Sequence, residues 1–350
     1  MKKRRLSILL SIVMLFSLLP TTALAAGPAS SVELYYGNGT TTSLSNGQCL
    51  ATNADTSATP YTSGPYVARY DSGTLYLDGY DVTDVKIFAD GDLNIEVVSA
   101  SSFSTSVSAS NDLYGIQANG KLNISGSGKL TVTANGDGTV YGIYANEGVT
   151  ISAPLNVQVG KVDSSKNGPL YGIYTKSGAI SLSGNDMTVT ATVAKENVYG
   201  VYNAADASTA STDNGNITIS GKLTVSLSNG SYNRGISSQG GVITLDGAIV
   251  KIPGSYYYGI FNKDGNVDIK NNSDVDISSD ISNNNGICTD TGGNLDIKNS
   301  TVKVSAKGPA ANLKGNVSIK DSDVDLTRNA EEYLVVNSAE NAENTINLST

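Results

Sequence analysis

Tyrosine is the side chain this sequence uses most conspicuously. The chain has 19 tyrosines and no tryptophan, and a tripeptide Tyr-Gly-Ile or a close variant begins at Tyr114, Tyr141, Tyr171, Tyr199, Arg234, Tyr258 and Asn285. If the isoleucine of each copy points inward, period two turns the next residue outward. That column reads Gln117, Tyr144, Tyr174, Tyr202, Ser237, Phe261 and Cys288. Tyr144, Tyr174, Tyr202 and Phe261 would then form an aromatic strip beside glycines that leave the backbone bare. Such a strip can stack on the apolar faces of sugar rings, with the phenol hydroxyls as polar handles. The same rings could instead stack on one another, cover the glycines and stabilise the sheet as cross-strand pairs do. The tyrosine before each glycine (Tyr114, Tyr141, Tyr171, Tyr199 and Tyr258) is expected on the isoleucine side, with its ring buried at a corner and its hydroxyl wet.

Carboxylates are the second candidate. Asp268 and Asp296 fall at equivalent places in adjacent repeats, and Asp274, Asp276, Asp323 and Asp325 crowd the last run of the C-terminal repeats. Stacked carboxylates about 5 Å apart repel one another and would invite Ca²⁺. The motifs Asp268-Ile-Lys270 and Asp296-Ile-Lys298 set lysines beside the aspartates, so diagonal ion pairing on a solvated face accounts for them without a metal. No EF-hand loop or Gly-Gly-x-Gly-x-Asp repeat occurs, and no metal or cofactor is expected.

Enzymatic chemistry has little to work with. The chain contains no histidine, which removes Ser/His and Cys/His nucleophile systems. A glycosidase would still need two carboxylates facing one bond, and a lyase would need Ca²⁺-binding acids beside a basic residue. Arg234 is the one basic residue in the tripeptide column, and it has no carboxylates on its face; it reads as a surface substitution.

The spacing of these residues dictates the scaffold. Marker glycines at 115, 142, 172, 200, 235, 259, 286 and 308 are separated by 27, 30, 28, 35, 24, 27 and 22 residues, periods that mean a solenoid. The longest interval contains a polar insertion from Ala204 to Asn214. Within each repeat, apolar residues alternate with polar ones in short runs, as in Leu122-Asn-Ile124, Leu130-Thr-Val132 and Val267-Asp-Ile269, so each run is a strand with one buried face. Three such runs per repeat with no helical periodicity predict an all-β, right-handed parallel β-helix, the hand following the general rule for parallel crossovers. Lys86-Ile87-Phe88-Ala89 continues the frame upstream, and Tyr333-Leu334-Val335 with Ile346-Asn-Leu348 continues it downstream. About ten coils result.

The ends read differently. Lys2, Lys3, Arg4 and Arg5, an apolar run from Leu6 to Leu19, and Ala23-Leu-Ala25 have the zones of a secretory signal peptide over residues 1–25. Its removal takes four of the 23 basic residues, leaves the 32 acidic ones and moves the net charge from −9 to −13. So acidic a chain is not suited to nucleic acid, which requires a basic stripe. No later apolar run approaches the ~20 residues of a membrane span. Residues 26–72 are expected to cap the N-terminal end, and residues 73–350 to form the β-helix. The helix would stop in mid-coil, where a further module or a second subunit would cover it. Cys49 and Cys288 lie many coils apart and are expected to be free thiols, because a disulfide needs Cα atoms within about 7 Å.

The run Tyr70-Asp-Ser-Gly73-Thr-Leu75-Tyr-Leu77-Asp-Gly79-Tyr80, then Ala89-Asp-Gly-Asp-Leu-Asn-Ile95 and the tripeptide coils, resembles secreted Gram-positive cell-surface β-helix proteins described as containing carbohydrate-binding domains. The resemblance implies a pectate-lyase-like β-helix architecture and an extracellular location, released or associated with the cell surface. Together with the residues above, it points to a non-catalytic, adhesin-like module with polysaccharide or cell-surface glycan as partner. A polysaccharide lyase or hydrolase, or a purely structural stalk, are the alternatives on the same scaffold.

Overall fold

The computed structural model describes residues 26–53, 58–108, 110–192, 196–206, 214–228, 232–254, 256–279 and 284–327, and the backbone of 328, 331–332, 335–336 and 345–347. The expected signal peptide, Tyr333, Leu334 and Leu348 lie outside these residues.

Apolar alternation produces strands, and the repeat stacks them. The described residues form three sheets of 12, 13 and 11 strands. Every coil contributes one strand to each, as in Leu113–Ala118, Leu122–Ser125 and Leu130–Gly136, followed by Val140–Ala145, Val149–Ile151 and Leu155–Gly160. Each strand pairs in parallel with its counterpart in the next coil, Ile116 with Ile143 and Ile143 with Ile173. The chain is therefore a parallel β-helix of about ten coils, with an interior file of Ile116, Ile143, Ile173, Val201, Ile236, Ile260 and Ile287, all at 0 % exposure. Each such side chain contributes about 1.5–3 kcal/mol on burial, and only stacking can provide that burial, because a lone coil has no second layer.

Residues 26–72 bring a different pairing. Ser31–Tyr36 and Thr41–Ser45 form an antiparallel hairpin, and Ser31–Tyr36 pairs antiparallel with Val85–Ala89 at the head of the first sheet. Ala68–Asp71 pairs antiparallel with both Gln48–Leu50 and Thr74–Leu77, and Thr74–Leu77 runs parallel to Leu93–Val97. The Ser72-Gly73 turn closes the antiparallel hairpin with φ of 50° and 83°, the left-handed pair that a two-residue hairpin turn demands, and pairing changes from antiparallel to parallel across Thr74–Leu77. The hairpins cover strand edges that the first coils would otherwise leave open to another chain.

One corner of the solenoid is polar inside. At the end of the first-sheet strands, Thr175, Asn203, Ser238, Asn262 and Thr289 stack in register, each at most 1 % exposed. Asn262 Nδ2 donates to the carbonyls of Gly241 at 2.7 Å and Asn266 at 2.8 Å, Ser238 Oγ to Gly215 at 2.6 Å, and Thr289 Oγ1 to Gly293 at 2.6 Å. The backbone turns sharply here, and these side chains donate to the turn carbonyls, of which that of Asn266 also accepts from Ile243 N–H at 3.0 Å.

The register corrects two placements near the C-terminus. Ile287 pairs with Ala311, so Ala310 and not Gly308 occupies the glycine position of that coil; Gly308 serves the preceding turn, where a Cβ would meet the backbone of Asn284. Val335 pairs with Asn312, one place beyond the isoleucine file, because the ladder and not the nearest similar tripeptide sets the register.

Candidate functional site: a double tyrosine ladder

The strand alternation slips by one residue at each glycine. In Leu113–Ala118 the buried residues are Leu113, Gly115, Ile116 and Ala118, while Tyr114 and Gln117 face out; the same pattern recurs in Val140–Ala145 and Leu170–Thr175. The glycines thus point inward, contrary to the expected bare outward column. A Cβ would lie 2.6 Å from Val132 Cγ1 at Gly115, 2.3 Å from Val157 Cγ1 at Gly142 and 2.3 Å from Val225 Cγ1 at Gly200. The first and third sheets approach too closely there for any side chain, as at a bulge that brings two backbones together.

The slip relocates the tyrosines. Tyr114, Tyr141, Tyr171 and Tyr199, expected on the inner side, stand outside as a second column next to Tyr144, Tyr174 and Tyr202. Rings of the first column stack at centroid distances of 4.9, 4.9 and 4.8 Å with interplanar angles of 4°, 8° and 5°. In the second column, Tyr144 and Tyr174 stack at 5.2 Å and 8°, and Tyr174 and Tyr202 tilt at 5.7 Å and 30°. Between columns the rings meet edge to face, at 5.2 Å and 79° for Tyr141 and Tyr144 and 5.1 Å and 72° for Tyr171 and Tyr174. Seven rings make a herringbone layer whose geometry suits the aromatic quadrupole.

That packing closes the ring faces against one another and leaves edges and hydroxyls at the surface. Tyr144 donates to Asn146 Oδ1 at 2.7 Å, and the Tyr114 and Tyr202 hydroxyls lie by Asp112 and Gln239. Burial pushes the phenols up, to about 12 at Tyr114 and Tyr174, with neighbouring charges adding to it. Tyr141 and Tyr171 are raised further for the same reason.

Phe261 does not join the strip. Ser237 separates it from Tyr202 in the column, it is only 6 % exposed, and the Arg234 guanidinium carbon sits 4.2 Å from its ring centroid. Arg234 itself is no solvated surface substitution: it occupies the tyrosine column in register between Tyr199 and Tyr258, 5.6 and 5.5 Å from their centroids. A planar cation continues the stack where a ring is missing. Neither outward column contains a carboxylate.

The acidic residues are arranged otherwise than expected on the third sheet. Asp276 and Asp325 do not stack on each other, because the register interleaves them as Lys251, Asp276, Lys303, Asp325. Asp274 and Asp323 are likewise separated by Thr301. Asp268 and Asp296 are direct neighbours on the second sheet, as expected, and burial, then Asp296, raises the Asp268 carboxyl. Lys270 reaches Asp246 at 3.7 Å, one coil back. Among the described residues no group of three or more His, Cys, Asp or Glu side chains could hold a metal, and no helix is long and apolar enough to cross a membrane. Cys49 and Cys288 are both free and buried.

No protein-family model matches the chain, and neither does any curated protein or solved structure.

Proposed function

We propose that this chain is a secreted, non-catalytic β-helical rod that binds an extended glycan along its tyrosine ladder, as an adhesive module at a cell surface. The observation that carries this reading is the ladder: seven tyrosines in two registered columns over four successive coils, columns that themselves contain no carboxylate. A repeating row of ring edges and hydroxyls on a rigid sheet matches a ligand that is itself a repeat of hydroxyls and C–H faces. The N-terminal signal-peptide zones support export. The absence of histidine from the sequence and of paired carboxylates from this face speaks for binding over hydrolysis or elimination.

A structural stalk is the second reading, and the closed ring faces favour it, since rings that stack on one another stabilise the rod before they contact anything else. The two are separated by probing a polysaccharide array with the purified chain and with a Tyr144→Ala/Tyr174→Ala/Tyr202→Ala triple variant that retains its β-sheet circular dichroism. Binding that disappears in the variant supports the ladder; binding that persists unchanged, or none at all, leaves the stalk.

A further inference from the structure

Residues 26–29 lie along the turns that lead from the first sheet into the second. Ala29 N–H donates to the Asp92 carbonyl at 3.0 Å and Asp92 N–H to the Gly27 carbonyl at 2.9 Å, a parallel bridge centred on Pro28. The approach is close. A Cβ on Gly91, where φ is 156°, would lie 2.6 Å from the Gly27 carbonyl oxygen, so glycine is the residue that lets the segment lie down there. Tyr70 adds a hydrogen bond from its hydroxyl to the Ala29 carbonyl, and Ala29 is buried.

The bridge carries Ala26 past its own coil. The turns stack as Gly91, Gly120 and Glu147, with Gly120 N–H donating to the Gly91 carbonyl at 3.0 Å and Glu147 N–H to the Gly120 carbonyl at 3.1 Å. Ala26 N–H donates to Glu147 Oε1 at 3.3 Å, two coils beyond the bridge at Asp92. Both residues are half-buried, and Glu147 lines a cavity of about 800 Å³ together with Pro28, Asp92 and Lys121. Asp92 and Lys121, the other charged groups on that cavity, carry opposite charges, and Asp92 Oδ1 already accepts from Lys121 N–H at 2.8 Å. Glu147 is the carboxylate that meets the Ala26 nitrogen.

We propose that this contact is built for a processed N-terminus: cleavage between Ala25 and Ala26 turns a neutral amide nitrogen into an α-ammonium that pairs with Glu147 and clasps the N-terminal cap across three successive turns. The small-residue run Ala23-Leu-Ala25, which ends the signal-peptide zones, stands immediately before that bond. A processing peptidase adds one water across it. The Ala25 carbonyl carbon keeps the water's oxygen and departs as a carboxylate, and both protons end on the Ala26 nitrogen. The ammonium brings a full charge and two more donors than the amide had. In the precursor the same nitrogen has one donor and no charge, so the cap that covers the first strand edges closes fully only on the exported chain. The inference rests on the export part of the proposed function, and on neither the ladder nor its ligand.

The test expresses the whole chain in a secreting bacterium and reads the N-terminal peptide of the protein in the medium by mass spectrometry. The expected terminus is Ala26. Acetylation rates of its α-amine across pH, measured on the same peptide, should give an amine titrating about one unit above the ordinary range of about 7.7–8.0, and Glu147→Gln should return it to that range. A second variant, with Gly-Ser placed between Ala25 and Ala26, moves the amine away and leaves the carboxylate in place. In both variants the Ala29 and Asp92 amides should exchange hydrogen faster, by up to about fivefold, and the two changes combined should do no more than either alone. An ordinary amine in the parent chain, or one unmoved by Glu147→Gln, overturns the clasp while export stands. A terminus at another residue also overturns the clasp alone, and a chain kept in the cell with residues 1–25 attached overturns both.

Discussion

Gly172 faces Val189 across the thin interior of its coil so closely that a Cβ on the glycine would lie 2.2 Å from Val189 Cγ1. The first sheet leans onto the third at this point in coil after coil, and the glycine of the tripeptide is the residue that allows it. Gly172→Ala therefore overpacks a rigid core and should lower stability by about 1–3 kcal/mol, read as a fall in the urea midpoint. Val189→Ala in the same chain should recover part of the loss, because the two side chains compete for one space. A Gly172→Ala chain as stable as the parent would show that the sheets can part without cost.

Alkaline titration should reveal the packed tyrosines. A phenol whose folded pKa is raised favours the folded state fully below the unfolded value of 10.0, and that contribution is lost as pH rises through the folded value, about 12 for Tyr114, Tyr174 and Tyr258. Part of the tyrosinate absorbance, that of these three rings, should therefore appear only near 12, with β-sheet circular dichroism lost alongside it. A single stage near 10 with the sheet intact would mean that the rings are not packed as described.

Asn262 should matter more than a polar residue in a strand usually does. Its amide donates to two backbone carbonyls inside the corner; the Asn266 carbonyl also accepts from Ile243 N–H, so Asn262→Ala strands the Gly241 carbonyl and should cost about 1–3 kcal/mol. Asn262→Ser should be milder, since Ser238 performs the same task in the coil before it. Thermal melts of the two variants give the comparison, and equal melting temperatures would contradict it.

The interleaved column on the third sheet predicts a salt-sensitive effect. Lys303 lies between Asp276 and Asp325, so Lys303→Glu places like charges side by side and should destabilise by about 0.2–1 kcal/mol. In 1 M salt the Debye length is about 3 Å, and most of that loss should vanish. A destabilisation that is the same at low and high salt would point to packing instead.

Much of the architecture was legible in the residues because stacking in a solenoid repeats one local decision. Ile116, Ile143 and Ile173 align in space as they align in the repeat, and the column from Gln117 to Cys288 was readable by the same counting. The first tyrosine column was not. Strict period two places Tyr114 with Ile116, and only a slip at Gly115, imposed by the third sheet pressing on the first, turns the ring outward. The Asp and Lys column failed for a similar reason: strand offsets between coils decide which charges meet, and runs such as Asp274-Val-Asp276 look acidic until Lys251 and Lys303 are brought alongside. The buried Thr, Asn and Ser at the corner had a signal, a polar residue at the end of successive first-sheet strands, but alternation alone does not say that the turn there needs internal donors.

By itself, the sequence determined the period, the strand content and the inward aliphatic file, because a hydrophobic residue recurring at one place in every turn has only one way to be buried. Tertiary structure decided which face each tyrosine occupies, that Arg234 continues a stack of rings, and that the glycines mark contact between sheets and not exposed backbone. Those outcomes depend on the distance between two sheets joined by turns, a quantity set by all the side chains between them and written in no single repeat.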